Sequence, residues 1–254
     1  LSVPTNNIAT RVAANITTGS LTFTNGATVL VDQINSTVGV NVAGDVTLRS
    51  TNGVITLNAP ITSGGTVTLN ANGAISNGTS GLSKKITAGT VTLGNLSTTT
   101  AIGASGNAIQ TSASTVNATS TNGAIFLSDV SGGTTAFAAS ATNGLVNIST
   151  TGALSTGGAI TSSNANVTLV SGTGGAGGMT ISHNVTGPTG VSLTVQADDA
   201  TLTHNGGTIS STNAAVDLVA DEMNLASAIS SGSGAVTLRP FNTCLLYTSP
   251  SPRD

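Results

Sequence analysis

Residues 44–57 read Gly44-Asp45-Val46-Thr47-Leu48-Arg49-Ser50-Thr51-Asn52-Gly53-Val54-Ile55-Thr56-Leu57: an apolar–polar–apolar triplet, a corner of Ser, Thr, Asn and Gly, then a second triplet. Alternation over so few residues, rich in β-branched Val, Ile and Thr, is the pattern of a short strand with one buried face. Asn-Gly between two such strands marks a sharp bend, because Gly takes positive φ without steric cost and Asn visits it more readily than most residues. The first triplet then recurs along the chain. It stands at Leu21-Thr22-Phe23, Val46-Thr47-Leu48, Val67-Thr68-Leu69, Val91-Thr92-Leu93 and Val116-Asn117-Ala118. It continues at Val146-Asn147-Ile148, Val167-Thr168-Leu169, Val191-Ser192-Leu193, Val216-Asp217-Leu218 and Val236-Thr237-Leu238. The period is about 24 residues, with one step of roughly 30 between Val116 and Val146.

Between successive triplets lie two further apolar points, such as Ile55-Thr56-Leu57 then Ile61, Ile75 then Ile86, Leu154 then Ile160, and Leu202 then Ile209. Strands this short make poor hairpins, and the self-similarity sits at three strands instead of two, so coiling is favoured over a meander. The sequence therefore predicts an all-β fold, a parallel β-helix (β-solenoid) with three short strands per coil and about nine coils. Val46, Leu48, Val67, Leu69, Val167 and Leu169 are expected to form interior files, with Thr47, Thr68, Thr168 and Thr237 in one outward row. An interior so narrow has little room for aromatic rings, which make up 2% of the chain.

Composition removes several alternatives. Six Lys+Arg and nine Asp+Glu in 254 residues cannot furnish the salt-bridged faces of a helical or coiled-coil protein. The net charge of -3 and a longest cationic run of Lys84-Lys85 leave no footprint for nucleic acid. No stretch approaches the roughly 18 consecutive apolar residues of a membrane helix, so no membrane span is expected. The chain is nevertheless 38% hydrophobic, with those residues regularly placed, which argues for folding over disorder. The eleven residues Cys244–Asp254 differ from the rest, hold the only Cys and the only Tyr, and resemble a translated sequencing-library adapter. Residues 244–254 are accordingly read as a non-native tail, and residues 1–243 as a repeat segment of a longer protein, a signal peptide either lying upstream of Leu1 or never having been there.

Residue types that carry chemistry are sparse. Asp198-Asp199 and Asp221-Glu222, with Asp217 nearby, are spaced so that Asp199 and Asp221 could stack one coil apart, as clustered carboxylates do in polysaccharide-cleaving enzymes. Turn-forming acids are the commoner reason for such residues. His183 and His204 sit one coil apart and are read as exposed corner residues, two imidazoles without a placed carboxylate being a poor metal site. The run Gly172-Thr173-Gly174-Gly175-Ala176-Gly177-Gly178 lacks the Lys-Ser/Thr ending of a phosphate loop and reads as a flexible loop. The Thr row is interrupted by Asn117, Asn147, Ser192 and Asp217, which argues against an ice-binding face. No cofactor or catalytic residue is assigned. Phe126 aligns with the outward Thr56, and Phe137 falls in the same long coil, so Phe126 and Phe137 are the candidate surface contacts.

Gly44-Asp45-Val46-Thr47-Leu48, Asn52-Gly53-Val54-Ile55-Thr56-Leu57, Ile160-Thr161-Ser162-Ser163 and Gly234-Ala235-Val236-Thr237-Leu238-Arg239-Pro240-Phe241 resemble the repeats of filamentous-haemagglutinin-like exoproteins, bacterial surface adhesins of the two-partner secretion type. The likeness is one of repeat style and covers Thr22 to Phe241. It implies a right-handed coil, export unfolded through an outer-membrane secretion partner, folding outside, and a secreted or cell-surface location. It also implies a non-enzymatic structural shaft that mediates attachment or extends a binding region towards surface glycans or proteins of a host or neighbouring cell. A carbohydrate-active β-helix enzyme and a surface-layer or matrix component are the alternative readings.

Overall fold

The structure is a computed structural model and describes residues 10–96 and 100–242. The tail expected at 244–254 lies outside the described residues. Among those described there are strands and turns and no helix. The strands stack into parallel ladders, and among the described residues the one antiparallel pair of strands is the small hairpin of Gln33–Ile34 with Thr37–Val38. The expected β-solenoid is therefore present. Val46, Val67 and Val91 sit in register on consecutive turns, as do Leu48, Leu69 and Leu93. All six are essentially inaccessible to solvent.

The turns number about eleven, one for each strand of the longest unbranched ladder, against the nine expected. At the ladder spacing of about 4.8 Å the rod is roughly 50 Å long. Nine intervals join ten triplets, and the eleventh turn lies in the step between Val116 and Val146. That step is not a long coil. The partner of Val116 on the next turn is Phe137, and Val146 stacks on Ile125 in a different sheet. The recurring triplet changes face at that point, and the intervening turn, whose strands are Ile125–Asp129 and Thr135–Ala141, was hidden from a count of triplets.

The change of face is an exchange of corners. In the first half each turn carries three strands, as in Ile55–Leu57, Ile61–Ser63 and Thr66–Ala71. Asn58-Ala59-Pro60 bends the chain between the first two. That corner is absent from Ile125–Asp129. Its Ile125 continues the file of Ile75 and Ile102, while its Leu127 and Asp129 continue the strand Ile109–Ser112. Two faces thus fuse into one. A new corner opens opposite, where Leu154–Ser162 bulges against Thr135–Ala141: Phe137 pairs with Thr156, but Ala139 pairs with Ile160. Gly157 and Gly158 occupy the bulge, and a Cβ on Gly158 would stand 2.9 Å from the Ala138 methyl, so the close approach needs glycine. On later turns the bulge has become a full corner, with Met179–Ile181 and Val185–Thr186 on separate ladders.

Core volume is conserved through the exchange. The file Val46, Val67, Val91 and Val116 enlarges to Phe137, while the neighbouring file Leu48, Leu69 and Leu93 shrinks to Ala118 and Ala139. A close-packed interior admits a large ring only where adjacent side chains give up matching volume. Corners are held by buried serines. Ser50 Oγ donates to the Ala27 carbonyl at 2.7 Å and accepts from the Gly53 N–H at 3.0 Å. Ser162, further along the same file, does the same with Gly144 at 2.8 Å and Ala165 at 2.9 Å. Outside them Asn164 donates to Asn143, and Asn143 to Asn122, a ladder of side-chain amides on consecutive turns. The outward Thr row divides likewise. Thr22, Thr47, Thr68 and Thr92 share one face with Asn117, whereas Thr168 and Thr237 belong to another.

Candidate functional site

The corner that disappears leaves a cleft. In the turn before the fusion the chain makes a raised loop, Gly103 to Ala108, between two faces; on the next turn the same span is the flat strand Ile125–Asp129. The loop stands as a wall over that strand and Val146–Thr150. Between them lies a cavity of about 340 Å³ lined by the loop, Asn77, Gln110, Phe126, Ser128, Asn147 and Ser149. None of its lining residues is ionisable.

The wall is firmly built. Ala104 and Asn107 exchange backbone hydrogen bonds at 3.2 and 3.0 Å around Ser105-Gly106, and Gly106 takes φ +75, as the third position of a tight turn requires. From the turn below, Asn77 Nδ2 donates to the Asn107 Oδ1 at 3.1 Å and to the Ala108 carbonyl at 2.9 Å. The floor is set by ladder register. Phe126 lies beside Asn147 on one outward row, and Gln110, Ser128 and Ser149 follow one another on the next.

Phe126 therefore points outward as the sequence indicated, half-buried beneath the loop. Phe137 does not. It is 0% exposed and belongs to the core, so the pairing of Phe126 and Phe137 as surface contacts is corrected for the second residue. Its sequence neighbours alternate like those of Phe126, but the change of face assigns it to the interior file of Val116.

The remaining candidates separate. Asp198, not Asp199, shares a partner with Asp221: Asn242 Nδ2 donates to both carboxylates at 2.9 Å, and the Asn242 N–H donates to Asp221 at 2.8 Å. Asp199 takes φ 54 in the turn. The Asn242 N–H holds the Asp221 carboxyl below the usual carboxylate range, which favours the ionised form over the proton donor that glycosidic cleavage needs. Asp217 pairs instead with Arg239 at 2.9 Å on the surface.

The histidines occupy unlike positions, contrary to expectation. His183 is an exposed corner residue, its Nδ1 2.9 Å from the Thr156 carbonyl. His204 is 0% exposed and faces inward between Ile181 and Leu225 of the adjoining turns. The sequence reading missed this because His204 ends a strand whose inward parity is fixed by Leu202 two residues earlier. Among the described residues no three His, Cys, Asp or Glu gather as metal ligands. Neither ring nitrogen of His204 meets a hydrogen-bond partner. Burial pushes its pKa down, and the nearby backbone of Gly207 and Gly206 opposes this only in part. A depressed histidine contributes stability that is present above its unfolded pKa of about 6.5 and lost as pH falls below it. Urea midpoints are thus expected to drop between about pH 7.5 and 5.5. His204→Leu should abolish that drop while His183→Leu keeps it; an unchanged drop in His204→Leu would contradict the assignment.

The glycine run at 172–178 is a pinned corner and not a flexible loop. Gly172, Thr173 and Gly174 donate to carbonyls of the preceding turn at 3.0 to 3.1 Å, and Gly175 closes onto Gly172 at 2.8 Å. Gly177, at φ +108, lies so close to the Ala153 backbone that no Cβ fits.

Taken with the ladders, these features define the class to which the architecture belongs: a parallel β-solenoid with a lateral cleft at a change of corners. Compared with family models, curated proteins and solved structures, the chain matches none.

Proposed function

We propose that the chain is a non-enzymatic shaft segment of a secreted bacterial surface adhesin, holding a binding region away from the cell or contributing to attachment itself. The observation that carries this reading is the unbroken parallel ladder of about eleven turns, clad in Thr, Ser and Asn and built without a disulfide. Such a rod lengthens by adding turns, each templated by the edge of the last. That growth suits a chain which emerges unfolded through an outer-membrane partner and folds as it appears, as in the filamentous-haemagglutinin-like exoproteins whose repeats it resembles.

Placed behind the secretion domain of a two-partner system and expressed with its outer-membrane pore, the segment is expected at the cell surface, where added protease removes it from intact cells. Retention in the periplasm would contradict the reading. The competing enzyme reading draws on the meeting of Asp198 and Asp221 at Asn242. Turnover of an acidic polysaccharide that vanishes in Asp221→Ala would establish it in place of the shaft.

A further inference from the structure

We propose that the cleft beside Phe126 binds an uncharged oligosaccharide. This goes beyond the shaft role and holds or fails independently of it.

Three observations point to that ligand. First, the volume of about 340 Å³ falls in the range of small-molecule sites, and the walls are formed in advance by the closed Ala104–Asn107 turn and its Asn77 anchor. A site that needs no ordering on binding spends none of its interaction energy on that step. Second, Phe126 is an aromatic ring held at the floor in a protein that otherwise clads its outward rows with Thr, Ser and Asn. A pyranose offers one face of C–H groups to such a ring, and a rim of hydroxyls that both donate and accept. Third, the groups around the ring match that rim. Gln110 and Asn147 carry amides with two donors and an acceptor each, Ser128 and Ser149 carry hydroxyls, and none of these side chains is engaged by another described residue. At one corner of the rod the amides of Asn122, Asn143 and Asn164 pair with one another. Here they are left free towards the cavity.

Charge decides between ligand classes. With no ionisable residue in the lining, a carboxylated or sulfated sugar would leave water for a site with no counter-charge, which is costly. The cleft also runs across the ladder, so Phe126 and Asn147, and Gln110, Ser128 and Ser149, repeat at the rung spacing of about 4.8 Å. Groups repeated in that way suit a chain of sugar units better than a single one.

The test uses the isotope-labelled chain and five probes at millimolar concentration: cellohexaose, xylohexaose, maltohexaose, N-acetylchitohexaose and, as the charged control, polygalacturonate. At least one neutral probe is expected to shift the side-chain amide resonances of Gln110 and Asn147 while leaving those of Asn143 and Asn164 in place. Phe126→Ala is expected to weaken binding by about tenfold or more, and the exposed Gln110→Ala by several-fold, both with unchanged far-ultraviolet circular dichroism. Absence of shifts with every neutral probe would overturn the proposal. So would shifts that persist at equal affinity in Phe126→Ala, or a response to polygalacturonate alone.

Discussion

Asp129→Ala is expected to remove about 3–5 kcal/mol of stability. The Asp129 carboxylate is buried at the turn between the fused strand Ile125–Asp129 and Thr135–Ala141. It accepts four hydrogen bonds. Thr111 Oγ1 and the Ala113 N–H donate to Oδ2 at 2.8 and 3.1 Å, and the Ser131 N–H and Thr135 Oγ1 donate to Oδ1 at 2.9 Å each. The two hydroxyls can turn to other acceptors, Thr135 having the Ala113 carbonyl at 2.9 Å. The two amides cannot turn. Orphaning the buried Ala113 N–H costs about 1–3 kcal/mol, the Ser131 N–H on its exposed residue costs less, and the charge-assisted bonds lost with the carboxylate add to that. Asp129→Asn keeps the shape but turns an NH₂ towards donors, so an intermediate loss is expected. Urea unfolding followed by circular dichroism measures both; a loss below about 1 kcal/mol in Asp129→Ala would show that the carboxylate is not the hub of this corner.

Most of the fold can be read from the chain because inward parity and corner chemistry repeat. Val46, Val67 and Val91 announce one file, and Asn52-Gly53, Asn122-Gly123 and Asn143-Gly144 announce its corner. What escapes is the exchange of corners, since a triplet looks the same on every face. Its trace is faint but present: Asn58-Ala59-Pro60 separates Ile55–Leu57 from Ile61–Ser63, whereas nothing in Ile125-Phe126-Leu127-Ser128-Asp129 can bend a strand. Phe126 was legible as outward from local alternation alone. The cleft around it was not, because it exists only where the raised loop from Gly103 to Ala108 stands over a turn that lacks one. Asp129 was overlooked for a related reason. A lone acid carries no signal until the fold brings Thr111, Ala113 and Thr135 around it.

Phe137→Ala is the second large effect, an expected loss of about 3–5 kcal/mol. Phe137 is the largest of the fully buried side chains, and the adjacent file cannot close over a void, because Ala118 and Ala139 already contribute a single methyl each. The outward counterpart, Phe126→Ala, should cost less, about 1–2 kcal/mol, since its ring is only partly covered and supports no interior file. Comparable losses in the two variants would mean that both rings lie on the surface or both lie inside.

The central claim is that the solenoid runs straight through this point, with Val116 followed by Phe137 and Ile125 followed by Val146. Backbone nuclear Overhauser contacts in the labelled chain test it directly. Amide-to-α-proton contacts are expected to join Thr115–Ser120 to Thr135–Ala141, pairing Val116 with Phe137 and Asn117 with Ala138. Contacts that instead join Val116 to Val146 would contradict the exchange of corners, and with it the cleft.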